Sequence, residues 1–101
     1  MKKNNFFITT PIYYPSGQPH IGHVYSSIFA DVFARYMRMN NCNVHFLTGT
    51  DEHGLKIQKA AEKDGTKPLA YCDKISKVFK DLATNLNLSN NCYSVWTIIK
   101  Y

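Results

Sequence analysis

The sequence predicts an α/β fold in which parallel strands are joined by crossover helices. Two observations carry that reading. Two short β-branched and aromatic runs, Phe6-Phe7-Ile8-Thr9-Thr10 and Val44-His45-Phe46-Leu47-Thr48, are each followed by a stretch of helical period. The order is strand, helix, strand, helix, which is the pattern of an open parallel sheet.

The first run follows a polar start and reads as a buried strand ended by Pro11, with Pro15-Ser16-Gly17 supplying turn chemistry. A helix is then expected from about Pro19 to Met39. Apolar residues recur at Ile21, Val24, Tyr25, Ile28, Phe29, Val32, Phe33, Tyr36 and Met37 and keep one helical face apolar. Pro19 suits a first helical position, because its missing N–H has no partner there anyway. Asn40-Asn41 stops the helix, since asparagine tolerates the left-handed conformation used after a helix end. After the second strand, Gly49-Thr50-Asp51-Glu52-His53-Gly54 reads as a loop opening a second helix through about Asp64, with a modest apolar face of Leu55, Ile57, Ala60 and Ala61. Asp64-Gly65-Thr66 is a stop and restart, with Pro68 near the start of a third helix that carries the stripe Leu69, Cys72, Ile75, Val78, Phe79, Leu82 and Leu86.

Composition bounds the function. The 101 residues suffice for one small domain or a piece of a larger one, and 45% hydrophobic content with 14% aromatics supports a packed core. The formal charge of +5 is compatible with a polyanionic partner, but the lysines are scattered, as on a solvated surface. Three widely spaced cysteines, Cys42, Cys72 and Cys92, form no C-x-x-C pair and indicate neither a zinc knuckle nor a disulfide framework. A reducing, cytoplasmic setting is expected. The apolar run after Lys2-Lys3 is interrupted too early for a secretory signal, and no stretch is long enough to span a bilayer, so no membrane partner is expected.

The chemistry concentrates at Gln18-Pro19-His20-Ile21-Gly22-His23, where extended chain gives way to the long helix. The histidines fall at i and i+3 in the opening turn, on one side of the helix. Gly22 leaves bare backbone that a ligand can approach, and a helix N-terminus favours an anion, phosphate above all. Ligands of open α/β sheets bind beyond the carboxyl ends of the strands. The loop with His20 and His23 leaves strand one and the Asp51–His53 loop leaves strand two, so the two converge if the strands are parallel. Blander readings stand beside this one. His20 and His23 could be surface histidines capping a helix, or metal ligands with His45 or His53 as a third. Asp51-Glu52 could simply complement a helix dipole, and Tyr13-Tyr14 could be core aromatics.

Thr9-Thr10-Pro11-Ile12-Tyr13-Tyr14, Pro19-His20-Ile21-Gly22-His23 and Phe46-Leu47-Thr48-Gly49-Thr50-Asp51-Glu52-His53-Gly54 together resemble the start of the bacterial methionyl-tRNA synthetase family. The match is collinear over roughly residues 5 to 89. The resemblance implies the first half of a Rossmann-like, class I synthetase nucleotide-binding fold. It implies methionine and ATP as substrates, Mg²⁺ accompanying the ATP, and tRNA as partner of the full-length enzyme. His20 and His23 would be catalytic, donating to phosphate oxygens, and ATP-binding together with Gly22. Ile12, Tyr14 and Asp51 would bind methionine, Asp51 through its α-ammonium. No resident metal site is implied.

The family's enzymes are several times longer, and their Lys-Met-Ser-Lys-Ser loop, second half-fold and anticodon-binding domain are absent from these residues. Residues 1–89 are therefore expected to be the N-terminal part of the catalytic domain, inactive alone and open to a complementing C-terminal fragment. After Asn87-Leu88-Ser89 the resemblance stops, and residues 90–101 read as a divergent tail left by a lost reading frame, with a deliberate short strand as the alternative. Trp96-Thr97-Ile98-Ile99 would then lack an intended partner. Two other functions stay open: a non-catalytic ATP- or tRNA-binding remnant, and a small H-x-G-H nucleotidyltransferase.

Overall fold

The computed structural model describes residues 2–52 and 54–96. Its elements are β1 (Asn5–Thr9), α1 (Ile21–Met39), β2 (Asn43–Asp51), α2 (Leu55–Asp64), α3 (Pro68–Asn85) and β3 (Cys92–Trp96). The three strands form one sheet in the order β1-β2-β3, and both pairings are parallel. Phe6 lies opposite Val44 and Thr9 opposite Leu47, while Leu47 through Asp51 also pair with Cys92 through Trp96. Parallel neighbours need crossovers, and α1 and the α2–α3 pair supply them.

Strand alternation decides which residues meet the helices. Phe6 and Ile8 pack with Val44, Phe46, Ala30 and Ala34, so α1 covers this face of β1 and β2. Further along the same face, the Thr50 hydroxyl lies 3.4 Å from that of Ser76 on α3. A second cluster joins α2 to α3 through Ile57, Ala61, Tyr71, Cys72, Ile75 and Phe79. On the opposite face, Phe7 is exposed and stacks on His45 with ring centroids 5.6 Å apart.

Four boundaries or faces differ from the sequence reading, each for a physical reason. β2 extends to Asp51 instead of ending at Thr48, because Gly49, Thr50 and Asp51 pair with β3. The first residue of α1 is Ile21, not Pro19, because the His20 side chain caps the helix. The buried face of α1 is Ser27, Ala30, Asp31 and Ala34, and of the apolar stripe Met37 packs beside it against the sheet. Small residues at i, i+3, i+4 and i+7 let the helix lie close to the strands, and Tyr25, Ile28, Phe29, Val32, Phe33 and Tyr36 stay exposed. The fourth difference concerns the end of the chain. Cys92–Trp96, within the 90–101 stretch read as a divergent tail, is the strand β3 beside β2, in line with the short-strand alternative. Residues 97–99 of the apolar run lie outside the described residues.

The connection into β3 is tied down by ions and hydrogen bonds. The buried Asp31 carboxylate accepts from the Ser89 backbone N–H (2.7 Å), the Ser89 hydroxyl (2.5 Å) and Arg35 Nε (2.8 Å). Arg38 donates to the Ser89 carbonyl at 2.8 Å, and Asn91 pairs with Phe46 through both its backbone N–H (2.8 Å) and its side-chain oxygen (2.7 Å). Burial by itself raises a carboxyl pKa, but these donors outweigh it and hold Asp31 below the ordinary value.

Other stops are as the sequence indicates. Asn41 and Gly65 take positive φ (60° and 73°) just after α1 and α2, and Pro68 opens α3. Among the described residues no helix is long and apolar enough to cross a membrane.

Candidate functional site

The site is built at the carboxyl rim of β1. Thr10 still faces Thr48, their hydroxyls 2.8 Å apart, yet the next bridge joins Tyr13 to Thr50. Three steps along one strand thus match two along the other, a one-residue bulge. Pro11, with no N–H to give the ladder, falls in the extra stretch. The bulge resets the alternation, so Tyr13 and not Tyr14 points toward the helices. The Tyr13 hydroxyl lies 3.0 Å from Ser27 Oγ and donates to the His23 carbonyl at 3.3 Å. Tyr14 is half-exposed, and Lys56 Nζ stands 5.8 Å from its ring centre.

At the start of α1 the two histidines form a reciprocal cap. His20 Nδ1 accepts from the Gly22 backbone N–H at 3.0 Å, and His23 Nδ1 accepts from the His20 backbone N–H at 3.0 Å. This is the capping-box arrangement, with imidazoles in place of Ser/Thr and Glu/Gln. A neutral imidazole whose Nδ1 accepts carries its hydrogen on Nε2. Each ring therefore keeps one Nε2–H donor uncommitted to the cap. Burial, and then the neighbouring His20, holds the His23 pKa below its ordinary value, which favours this neutral form.

The bland reading of the histidines as caps is thus correct for Nδ1, and it alters the anion-binding argument. The Gly22 N–H is already occupied by His20, so the donors this turn can offer a phosphate include the two Nε2–H groups. Gly22 has a second reason to be glycine. A Cβ there would meet His20 Cε1 at 2.8 Å, so the bare backbone is covered by the His20 ring rather than left open.

Ile12, Tyr14, His20 and His23 line one open groove of about 320 Å³, together with Gln18 and Lys56. Gly22 and Asp51 are not among its lining residues. Asp51 is the last residue of β2, and its backbone N–H donates to the Tyr13 carbonyl at 2.9 Å, which sets it on the same rim. The third-ligand idea finds no geometry. His45 stacks on Phe7 across the sheet, His53 lies outside the described residues, and no group of three His, Cys, Asp or Glu among the described residues could hold a metal. Glu52 does not cap α2. Its carboxylate accepts from the hydroxyls of Ser76 and Thr50, joining β2 to α3. Burial, then Glu52 and Asp73, push the Cys72 thiol up to about 11, so it is no nucleophile at neutral pH.

Sequence reasoning missed two residues around His23. Its ring stands edge-on to Tyr13 (4.9 Å, 82°) and to Phe79 of α3 (5.0 Å, 90°). Pro11 was the available signal for Tyr13, since a proline after a strand can mark a bulge. Nothing in the sequence links Phe79 to a histidine fifty-six positions earlier.

A parallel sheet with a His-x-Gly-His helix start at its carboxyl rim matches the class I aminoacyl-tRNA synthetase fold. The chain belongs to the family described as tRNA synthetases class I (M), whose sequence model matches residues 6–97. It is similar to methionine–tRNA ligase 1 of Bacillus cereus, 54% identical over 88 residues that make up 87% of this chain and 13% of the relative. It is also similar to the mitochondrial methionine–tRNA ligase of Takifugu rubripes, 48% identical over 92 residues, 91% of this chain and 16% of that protein. Among solved structures, Mycobacterium tuberculosis methionyl-tRNA synthetase bound by methionyl-adenylate superposes with a TM-score of 0.92 at 40% identity. That superposition covers 95% of this chain and 19% of the other. The chain thus spans less than a fifth of the length of the relatives it matches.

Proposed function

We propose that these residues are the nucleotide-facing start of the catalytic domain of a methionine–tRNA ligase. In the reaction, a methionine carboxylate oxygen bonds to the α-phosphorus of ATP, the bond to the β-phosphate oxygen breaks, and pyrophosphate leaves. A 3′-terminal hydroxyl of tRNA then bonds to the methionyl carbonyl carbon of the adenylate, the carbonyl-to-phosphate oxygen bond breaks, and AMP leaves. One observation carries the reading: His20 and His23 hold each other's turn through Nδ1, leave Nε2–H free to donate, and line the groove with Ile12 and Tyr14. Two preorganised donors suit the charge that builds on phosphate oxygens in the transition state.

Gly22 serves ATP binding by making room for the His20 ring. Ile12 and Tyr14 offer an apolar and an aromatic wall to a thioether, where sulfur–aromatic contact is favourable. Asp51 is proposed to meet the α-ammonium of methionine. Magnesium would arrive with ATP, held by phosphate oxygens and water, because the described residues form no three-ligand cage. The three free cysteines support a cytoplasmic setting, although one relative is mitochondrial by name. The exposed stripe of α1 is the kind of face that further polypeptide covers, so a complementing C-terminal portion fits there.

Grafting tests the reading. This chain replaces the matching 88 residues of the Bacillus cereus ligase, and methionine-dependent exchange of pyrophosphate into ATP is measured. The graft is expected to be active, and His20→Ala or His23→Ala to lower the rate by about 10²–10³. An active graft indifferent to both substitutions contradicts the assignment. The 101-residue chain alone is expected to bind ATP without aminoacylating.

A further inference from the structure

Tyr13 meets the sheet, α1 and α3 beside His23. Its backbone is locked on both sides by β2: its N–H donates to Gly49 (3.1 Å) and its carbonyl accepts from Asp51 (2.9 Å). Its hydroxyl bonds Ser27, one turn beyond His23 on α1, at 3.0 Å. Its ring lies nearly parallel to Phe79, 5.8 Å away at 27°, and both stand roughly perpendicular to the imidazole of His23. Three rings thus close a triangle with sides of 4.9, 5.0 and 5.8 Å. Edge-to-face contacts at such spacings are favourable and directional. The cap hydrogen bond to Nδ1 fixes the tautomer of His23 but leaves the ring free to tilt about that bond. Two perpendicular walls remove the tilt.

We propose that Tyr13, backed by Phe79, is a positioning residue that sets the plane of the His23 imidazole and so the direction of its Nε2–H into the groove. The consequence for ligand rests on the adenylation reading, but the geometry does not. Burial against these rings also agrees with the lowered pKa of His23. A plain core-filling role would give a different outcome: losing Tyr13 would weaken the fold while leaving the state of the imidazole untouched.

The test uses the ¹⁵N-labelled 101-residue chain. Imidazole nitrogens are followed by long-range proton–nitrogen correlation, with pH and with ATP, in the wild type, Tyr13→Phe and Tyr13→Leu. Tyr13→Phe keeps the ring, so it should retain the Nε2–H tautomer and bind ATP within about twofold of wild type. Tyr13→Leu should raise the His23 titration midpoint, mix its tautomers and weaken ATP binding about fivefold. A Tyr13→Leu protein with the wild-type midpoint and tautomer overturns the proposal. So does the absence of cross-relaxation between the Tyr13 and His23 rings in the wild type, a readout that needs no variant to fold. If the ring contacts are present but ATP gives no saturable shift, the nucleotide reading fails and Tyr13 positions nothing for it.

Discussion

The backbone N–H of Asp51 donates to the carbonyl of Tyr13 at 2.9 Å, and this bond stitches the end of β2 to the segment that follows β1 at one rim of the sheet. Through Tyr13 the stitch reaches His23, whose ring rests 4.9 Å from that of Tyr13. A carboxylate residue at the end of β2 and an imidazole at the start of α1 are thereby fixed relative to each other. Substitutions around this junction have calculable consequences.

Gly22→Ala places a methyl 2.8 Å from His20 Cε1. The His20 ring must swing off its cap, releasing the Gly22 N–H. Loss of an N-cap costs about 1 kcal/mol. A urea melt should register that loss, and the first turn of α1 should exchange its amides faster. Unchanged exchange there would show that the ring was not holding the turn.

His23 titrates below the ordinary 6.5 because it is buried and lies beside His20. A group whose folded pKa is depressed is stabilising above its unfolded pKa, and that stability drains away as pH falls from about 6.5 through the lower folded value. Protonating Nδ1 also breaks the bond from the His20 N–H. Urea midpoints should therefore fall between pH 8 and pH 5. His23→Gln should flatten that part of the profile, since glutamine at the third helical position keeps a capping box without titrating.

Asp31→Asn weakens two charge-assisted bonds that tie α1 to Ser89 in the segment leading into β3, and a third from Arg35 within α1. About 1–3 kcal/mol is expected, because the Ser89 and Arg35 donors lose a charged acceptor. Calorimetry or a urea melt measures it. Asp31 is held below its ordinary 3.8, so its contribution is full above that pH and is lost as acid carries the carboxyl through its folded value.

Phe29→Glu and Val32→Lys fall on the exposed stripe of α1, at 56% and 58% exposure. Neither packs on the sheet, so stability should change by no more than about 0.5 kcal/mol. Sedimentation should show less self-association, as expected when a large apolar patch acquires charge. A collapse of the fold in both variants would place that stripe in the core.

Much of the molecule was legible in the chain. Both β-branched and aromatic runs, the Asn40-Asn41 stop, the Gly65 cap and the Pro68 start mark real boundaries, because each rests on local backbone chemistry. The convergence of the His20–His23 and Asp51 loops followed from parallel topology alone. What escaped is what depends on contacts distant in sequence. Apolar periodicity chose the wide side of α1, whereas the sheet selected the narrow one made of Ser27, Ala30 and Ala34. Residues 90–101 read as a divergent tail because the resemblance stops after Ser89, whereas Cys92–Trp96 pairs with the late part of β2, more than forty positions earlier. The resemblance named Tyr14, which lines the groove, while the bulge at Pro11 that turns Tyr13 toward the helices was not read from the sequence.

The most direct measurement follows the imidazole Nε2–H groups of His20 and His23 while ATP and methionine are added to the 101-residue chain. Both should shift saturably while each Nδ1 continues to accept its backbone N–H. Shifts confined to the lysines of α2 and α3, or a histidine found with its hydrogen on Nδ1, would contradict a phosphate-facing pair of capped imidazoles.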